Sequence, residues 1–139
     1  MDLNHAVPRS PEDALDGYTW LPRLIDKARA KLAGTLGDYH YGDPAPMDAY
    51  FFEATEIGPD ALLATVAANP TDAAVVAWVR QQAPLSPAAQ DAYRDGWRGH
   101  QATTPDKIAV FEGRREAVAP GRPDIVTWGH LLMVEEGHG

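Results

Sequence analysis

The stretch that most constrains this chain is residues 20–36. Leu21, Leu24, Ile25, Ala28, Leu32 and Leu36 recur at the three- and four-residue spacing of one helical face. Thr19 is placed to cap the helix through its hydroxyl, and Pro22 falls in the first turn, where a missing N–H costs nothing. Of the two glycines at the far end, Gly34 and Gly37, the second is the expected stop. Leu24, Ile25, Ala28 and Leu32 are expected in the core. Arg23, Asp26 and Lys27 fall on the opposite side, with Arg29 and Lys31 flanking the stripe. This charge has three readings. It is a solvated face with a local Arg23–Asp26 pair, or Arg23, Lys27 and Arg29 converge on an anion in a cleft, or it is a subunit contact.

The rest of the chain reads as short helices separated by proline and glycine breaks. Residues 1–9 form an extended N-terminal arm. Ser10-Pro11-Glu12-Asp13 has the form of a helix start, with Gly17 ending a short helix. Tyr39-His40-Tyr41 leads into a loop broken by Pro44 and Pro46. Met47 to Thr55 fits a short helix with Tyr50, Phe51 and Phe52 on it. Gly58-Pro59-Asp60 opens another, and Thr71 caps a third that buries Val75, Val76 and Val79. Ser86-Pro87 and Thr104-Pro105 repeat the cap-and-proline start. A final helix runs from Thr127 to Glu136. No stretch alternates as a strand should, so the fold class is all-α, a single domain over residues 1–139.

Composition narrows the partners. The net charge is −8 and the hydrophobic fraction 45%, which fits a folded protein and argues against nucleic acid and anionic membranes. There is no cysteine, which removes disulfides, thiolate metal sites and a cysteine nucleophile. No secretory signal and no apolar run of about eighteen residues is visible, so a soluble cytoplasmic protein is expected, as a monomer or weak homodimer.

Several segments together resemble a bacterial family, domain of unknown function family 5069. They are Pro8-Arg9-Ser10-Pro11, Gly17-Tyr18, Leu21-Pro22-Arg23, Ile25-Asp26-Lys27-Ala28-Arg29-Ala30 and Gly37-Asp38-Tyr39-His40-Tyr41. Residues 72–79, 119–128 and 135–137 extend the likeness over most of the chain. The segment from Ile25 to Ala30 is its most specific part. Where the family often has Asn-Cys-Pro after the tyrosine, this chain has Gly42-Asp43-Pro44, so no role of that cysteine applies here. The resemblance implies a small helical domain and no particular activity.

Candidate chemistry is sparse. No two of the five histidines share a helical turn and no His-Glu-x-x-His occurs, so no metal and no cofactor is expected. Ser10 and Ser86, the only serines, read as caps, and there is no nucleophile elbow or phosphate loop. One catalytic constellation remains: His40 as general base, Asp26 or Asp38 orienting it, and Tyr39 or Tyr41 donating to a developing oxyanion. The ligand-binding candidates are Arg9, Arg23, Lys27, Arg29, Tyr41 and Arg122. The alternative for Arg9 and Arg122 is a structural one, a guanidinium bonding backbone carbonyls or helix C-termini across the fold.

Two functions follow. One is a pocket for a small anionic metabolite, with or without His-assisted acid/base chemistry. The other is a non-catalytic interaction or self-association module.

Overall fold

The computed structural model describes residues 1–43 and 45–138. Seven helices and one two-stranded ribbon appear among them: β1 (Ala14–Leu15), β2 (Tyr18–Thr19), α1 (Leu21–Ala33), α2 (Asp48–Thr55), α3 (Pro59–Ala68), α4 (Asp72–Gln82), α5 (Pro87–Arg98), α6 (Pro105–Val118) and α7 (Trp128–Glu135). The all-α expectation holds, with the ribbon as its one exception. The chain divides into two units, Met1–Arg94 and Asp95–Gly139, and α5 contributes residues to both.

In the first unit, the helix expected from Ser10 is absent. The Ser10 hydroxyl accepts from the Glu12 amide at 3.2 Å, and the Ser10 carbonyl accepts from Asp13 at 3.1 Å, but one turn is all that forms. Ala14 then pairs with Thr19 and Leu15 with Tyr18 in an antiparallel ribbon. Asp16 and Gly17, at φ of 50° and 82°, make the connection. Asp-Gly is the left-handed pair a two-residue hairpin demands. Gln90 closes over it, its amide donating to the Asp16 carbonyl at 2.8 Å.

Trp20 turns the ribbon into α1 with a left-handed φ of 69°, a costly conformation for a bulky residue. Bonds at both of its ends hold it there. Its amide donates to Pro11 at 3.1 Å and its indole N–H to Asp48 at 2.8 Å. Trp20, not Thr19, therefore stands at the cap position, and no side chain caps α1. Leu21, Leu24, Ile25 and Ala28 are fully buried, and α1 packs on α3, whose Leu62 and Val66 face inward. Two expectations fail at the far end. Gly34, at φ 71°, caps the helix in place of Gly37, and Leu32 is 49% exposed.

In the second unit, Thr104 and Thr127 cap α6 and α7 through their hydroxyls, as Thr71 does for α4 in the first. Phe111, Ile125 and Leu131 form the core. The Trp128 ring meets Phe111 edge-on at 4.9 Å. Arg115 crosses beneath, donating to the Ile125 carbonyl at 3.1 Å.

Candidate functional site

Arg23, Asp26 and Lys27 of α1 are buried, which overturns their placement on a solvated face, while Arg29 is half-buried and Lys31 exposed. Arg23, Asp26 and Lys27 are 2%, 3% and 4% exposed. Charges survive such burial only when each is matched. Lys27 Nζ reaches both oxygens of Asp48, at 2.7 and 2.8 Å. The same carboxylate takes the Trp20 indole and the Gly42 amide, the latter at 2.9 Å. Asp48 begins α2, so its carboxylate also lies at the favourable pole of that helix.

Asp26 does not pair with Arg23. Arg9 takes it instead, through Nε at 3.1 Å, Nη2 at 3.1 Å and its own amide at 2.9 Å. Arg9 Nη1 continues to Asp72 at 2.7 Å, and Arg29 approaches the same carboxylate at 3.0 Å. The guanidinium of Arg9 thus joins the N-terminal arm, α1 and α4. Burial alone would lower its pKa, but the bonds to Asp72 and Asp26 overcome this and hold it above the usual arginine value. Arg23 lies against the rings of Trp20 and Tyr39, at 5.4 and 5.7 Å from their centroids, and donates to the Arg9 carbonyl at 3.3 Å.

The remaining candidates scatter. His40 is on the surface, and among the described residues no hydrogen bond or ion pair reaches it. Asp26 is engaged by Arg9 and makes no bond to His40, so the expected base and its orienting carboxylate are not assembled. Tyr39 is half-buried against Arg23. Tyr41 is buried and donates to the Pro59 carbonyl at 2.7 Å; burial, with Asp48 and Asp60 nearby, pushes its phenol well above the usual range. Arg122, in the second unit, is exposed and forks onto Asp124 at 2.9 Å. Among the described residues no three histidine, aspartate or glutamate side chains converge as metal ligands, and no helix is long and apolar enough to cross a membrane.

Sequence reasoning missed a concave surface beside the buried pair. A groove of about 410 Å³ lies between the loop after Tyr41 and one face of α2, with Gly42, Asp43, Pro46, Phe52, Glu53 and Pro59 among its walls. Its geometry is set from beneath. The Asp48 carboxylate fixes the Gly42 amide, and the Tyr41 hydroxyl fixes Pro59. Gly42 has φ 70°, and a Cβ there would meet the Pro59 side chain at 3.1 Å, so glycine is favoured at this wall. Phe52 is held edge-on by Phe51 and Tyr41, at 5.7 and 6.0 Å. The Gly-Asp-Pro of the loop was the one signal available, and Pro44 itself lies outside the described residues.

Residues 5–138 match the family Domain of unknown function (DUF5069). The chain belongs to DUF5069. No curated protein matches it. The segment from Ile25 to Ala30, the most specific part of the resemblance to DUF5069, carries Asp26 and Lys27, whose partners are the buried bonds just described. In this DUF5069 protein the segment therefore closes the core of its unit.

The outer half of the network carries a pH dependence. The bond from Arg9 is the main cause that lowers the Asp72 carboxyl below its usual value, against a smaller opposing effect of burial. A depressed folded pKa adds stability above the unfolded value near 3.8, and that stability is lost as pH falls through the folded value. Asp72→Asn is expected to cost at most about 1 kcal/mol at pH 7, since the pair is partly open to water. It should also flatten the acid limb below pH 4. Urea unfolding at pH 7 and pH 3 checks this: a difference from wild type that is the same at both would refute it.

Proposed function

We propose that this protein is a non-catalytic interaction module that holds a partner in the groove between the loop after Tyr41 and α2. One observation carries the reading: the cations suited to an anion or to chemistry, Arg9, Arg23, Lys27 and Arg29, are engaged with carboxylates, carbonyls or aromatic rings, whereas the groove walls are pre-set and open. An anion would reach Lys27 only by displacing Asp48 from a dry site. The anionic-metabolite reading would need that displacement, and acid/base chemistry at His40 would need a partner from outside this chain. A chain without cysteine fits a cytoplasmic setting.

The test is a seven-residue peptide library panned on the full chain. Selected peptides are then titrated into isotope-labelled protein and followed by proton–nitrogen correlation spectra. Shifts centred on Gly42, Ala49, Phe52 and Glu53 are expected. Shifts centred on Arg9, Arg29 and Tyr39, or a metabolite screen in which a phosphorylated or carboxylate compound raises Tm, would overturn the reading in favour of an anion pocket.

A further inference from the structure

We infer that the groove of the first unit receives a basic peptide segment, with a lysine or arginine side chain laid across Phe52 and its charge between Asp43 and Glu53. The inference rests on the reading of the groove as the binding surface, and it adds the chemistry of the occupant.

The argument begins with charge. Asp43 and Glu53 both line the groove and are both exposed. Among the described residues neither has a hydrogen bond or an ion-pair partner. Asp16, Asp26, Asp48 and Asp72 of the same unit are, by contrast, matched by arginine or lysine. No lining residue is basic. A net charge of −8 adds a long-range field that draws cations and repels anions.

Shape and lining supply the second half. Pro46, Ala49, Phe52 and Pro59 give the groove an apolar floor and walls. An apolar floor edged by two carboxylates matches a side chain with an apolar stem and a charged tip, which is the construction of lysine and arginine. The Phe52 ring, held in place by two edge-on neighbours, presents a face on which a cation gains further attraction. The groove is open along its length. A small molecule is bound tightly when most of its surface is enclosed, and this partly open groove would leave a share of it in water. A peptide needs no enclosure, because its neighbouring residues continue the contact along the surface. Little is lost in ordering the receiving walls, since Gly42, Phe52 and Pro59 are already fixed.

The probes are four labelled peptides of one sequence, Ser-Gly-Leu-Xaa-Leu-Gly-Ser, with lysine, arginine, norleucine or glutamate at Xaa, together with butylammonium. Each is titrated into the full chain by fluorescence anisotropy or, for the amine, by correlation spectra. The lysine and arginine peptides are expected to bind at the groove, about ten-fold more tightly than the norleucine peptide, with the glutamate peptide weakest. Going from about 50 to about 500 mM salt should weaken the basic peptides about five-fold and leave norleucine unchanged. Asp43→Asn with Glu53→Gln should weaken them about five-fold while the urea midpoint stays where it was, because both carboxylates are exposed and unpaired.

Each contrary result has its own meaning. Equal binding of norleucine and lysine peptides at the groove overturns the charge inference and leaves the interaction module standing. Butylammonium binding as tightly as the peptides overturns the peptide as occupant. Binding of basic peptides without shifts at Gly42, Phe52 and Glu53, or no binding by any probe, overturns the inference together with the groove reading.

Discussion

Replacing Asp48 by alanine is expected to remove about 3–5 kcal/mol of stability, the cost of leaving a buried charge without its partner. The buried Lys27 ammonium would lose its carboxylate, and the Trp20 indole and the Gly42 amide would lose this acceptor at the same stroke. Total stabilities of small domains run from about 5 to about 15 kcal/mol, so this single change would leave the first unit close to unfolding. Urea titration followed by circular dichroism reads the loss. The pair is dry, so added salt should change that loss little. Combining Asp48→Leu with Lys27→Met should recover a large part of it, because two apolar side chains need no mutual bond. A loss below about 1 kcal/mol for Asp48→Ala would mean that water reaches the pair.

The second large effect belongs to the apolar stripe of α1. Leu24→Ala is expected to cost about 2–5 kcal/mol, the range for opening a cavity in a packed core. Leu32→Ala, two turns further on, should cost under about 0.5 kcal/mol, since Leu32 is 49% exposed where Leu24 is fully buried. The two variants form one experiment, read as midpoints of urea unfolding. Equal losses would show that the last turn of α1 is covered.

What the sequence made legible was local. Thr71, Thr104 and Thr127 announced their helices because a cap is satisfied within three residues, and Leu24, Ile25 and Ala28 announced their face because helical period is a property of the helix alone. What it hid was remote. Period shows which side of a helix is apolar, not how far along it burial runs, and so Leu32 was misjudged. Arg23, Asp26 and Lys27 looked like a solvated face because their partners lie elsewhere. Lys27 meets Asp48, Asp26 meets Arg9, and Arg9 goes on to Asp72, 63 residues away. The nearer Arg23–Asp26 pair looked sufficient and is not formed. The ribbon is a different case. Asp16-Gly17 is a strong local hairpin signal, and the serine–proline start beside it masked that signal. The groove was illegible because its walls come from a loop and a helix that the buried Asp48 brings together.

The meeting of Trp20, Lys27, Gly42 and Asp48 also restricts how such a chain can drift over generations. Trp20 and Lys27 come from α1 and its cap, Gly42 and Asp48 from the loop that leads into α2 and that helix's first residue, and one carboxylate serves the other three. Loss of the carboxylate takes the counter-charge from a buried ammonium, and loss of the ammonium takes it from the carboxylate. A side chain at Gly42 would sit at a strained positive φ and press on Pro59 at 3.1 Å. Each position is therefore nearly closed to single exchange, while a joint exchange to an apolar set remains open. On this geometry the Lys27–Asp48 pair is exchanged at lower cost as a pair than one residue at a time.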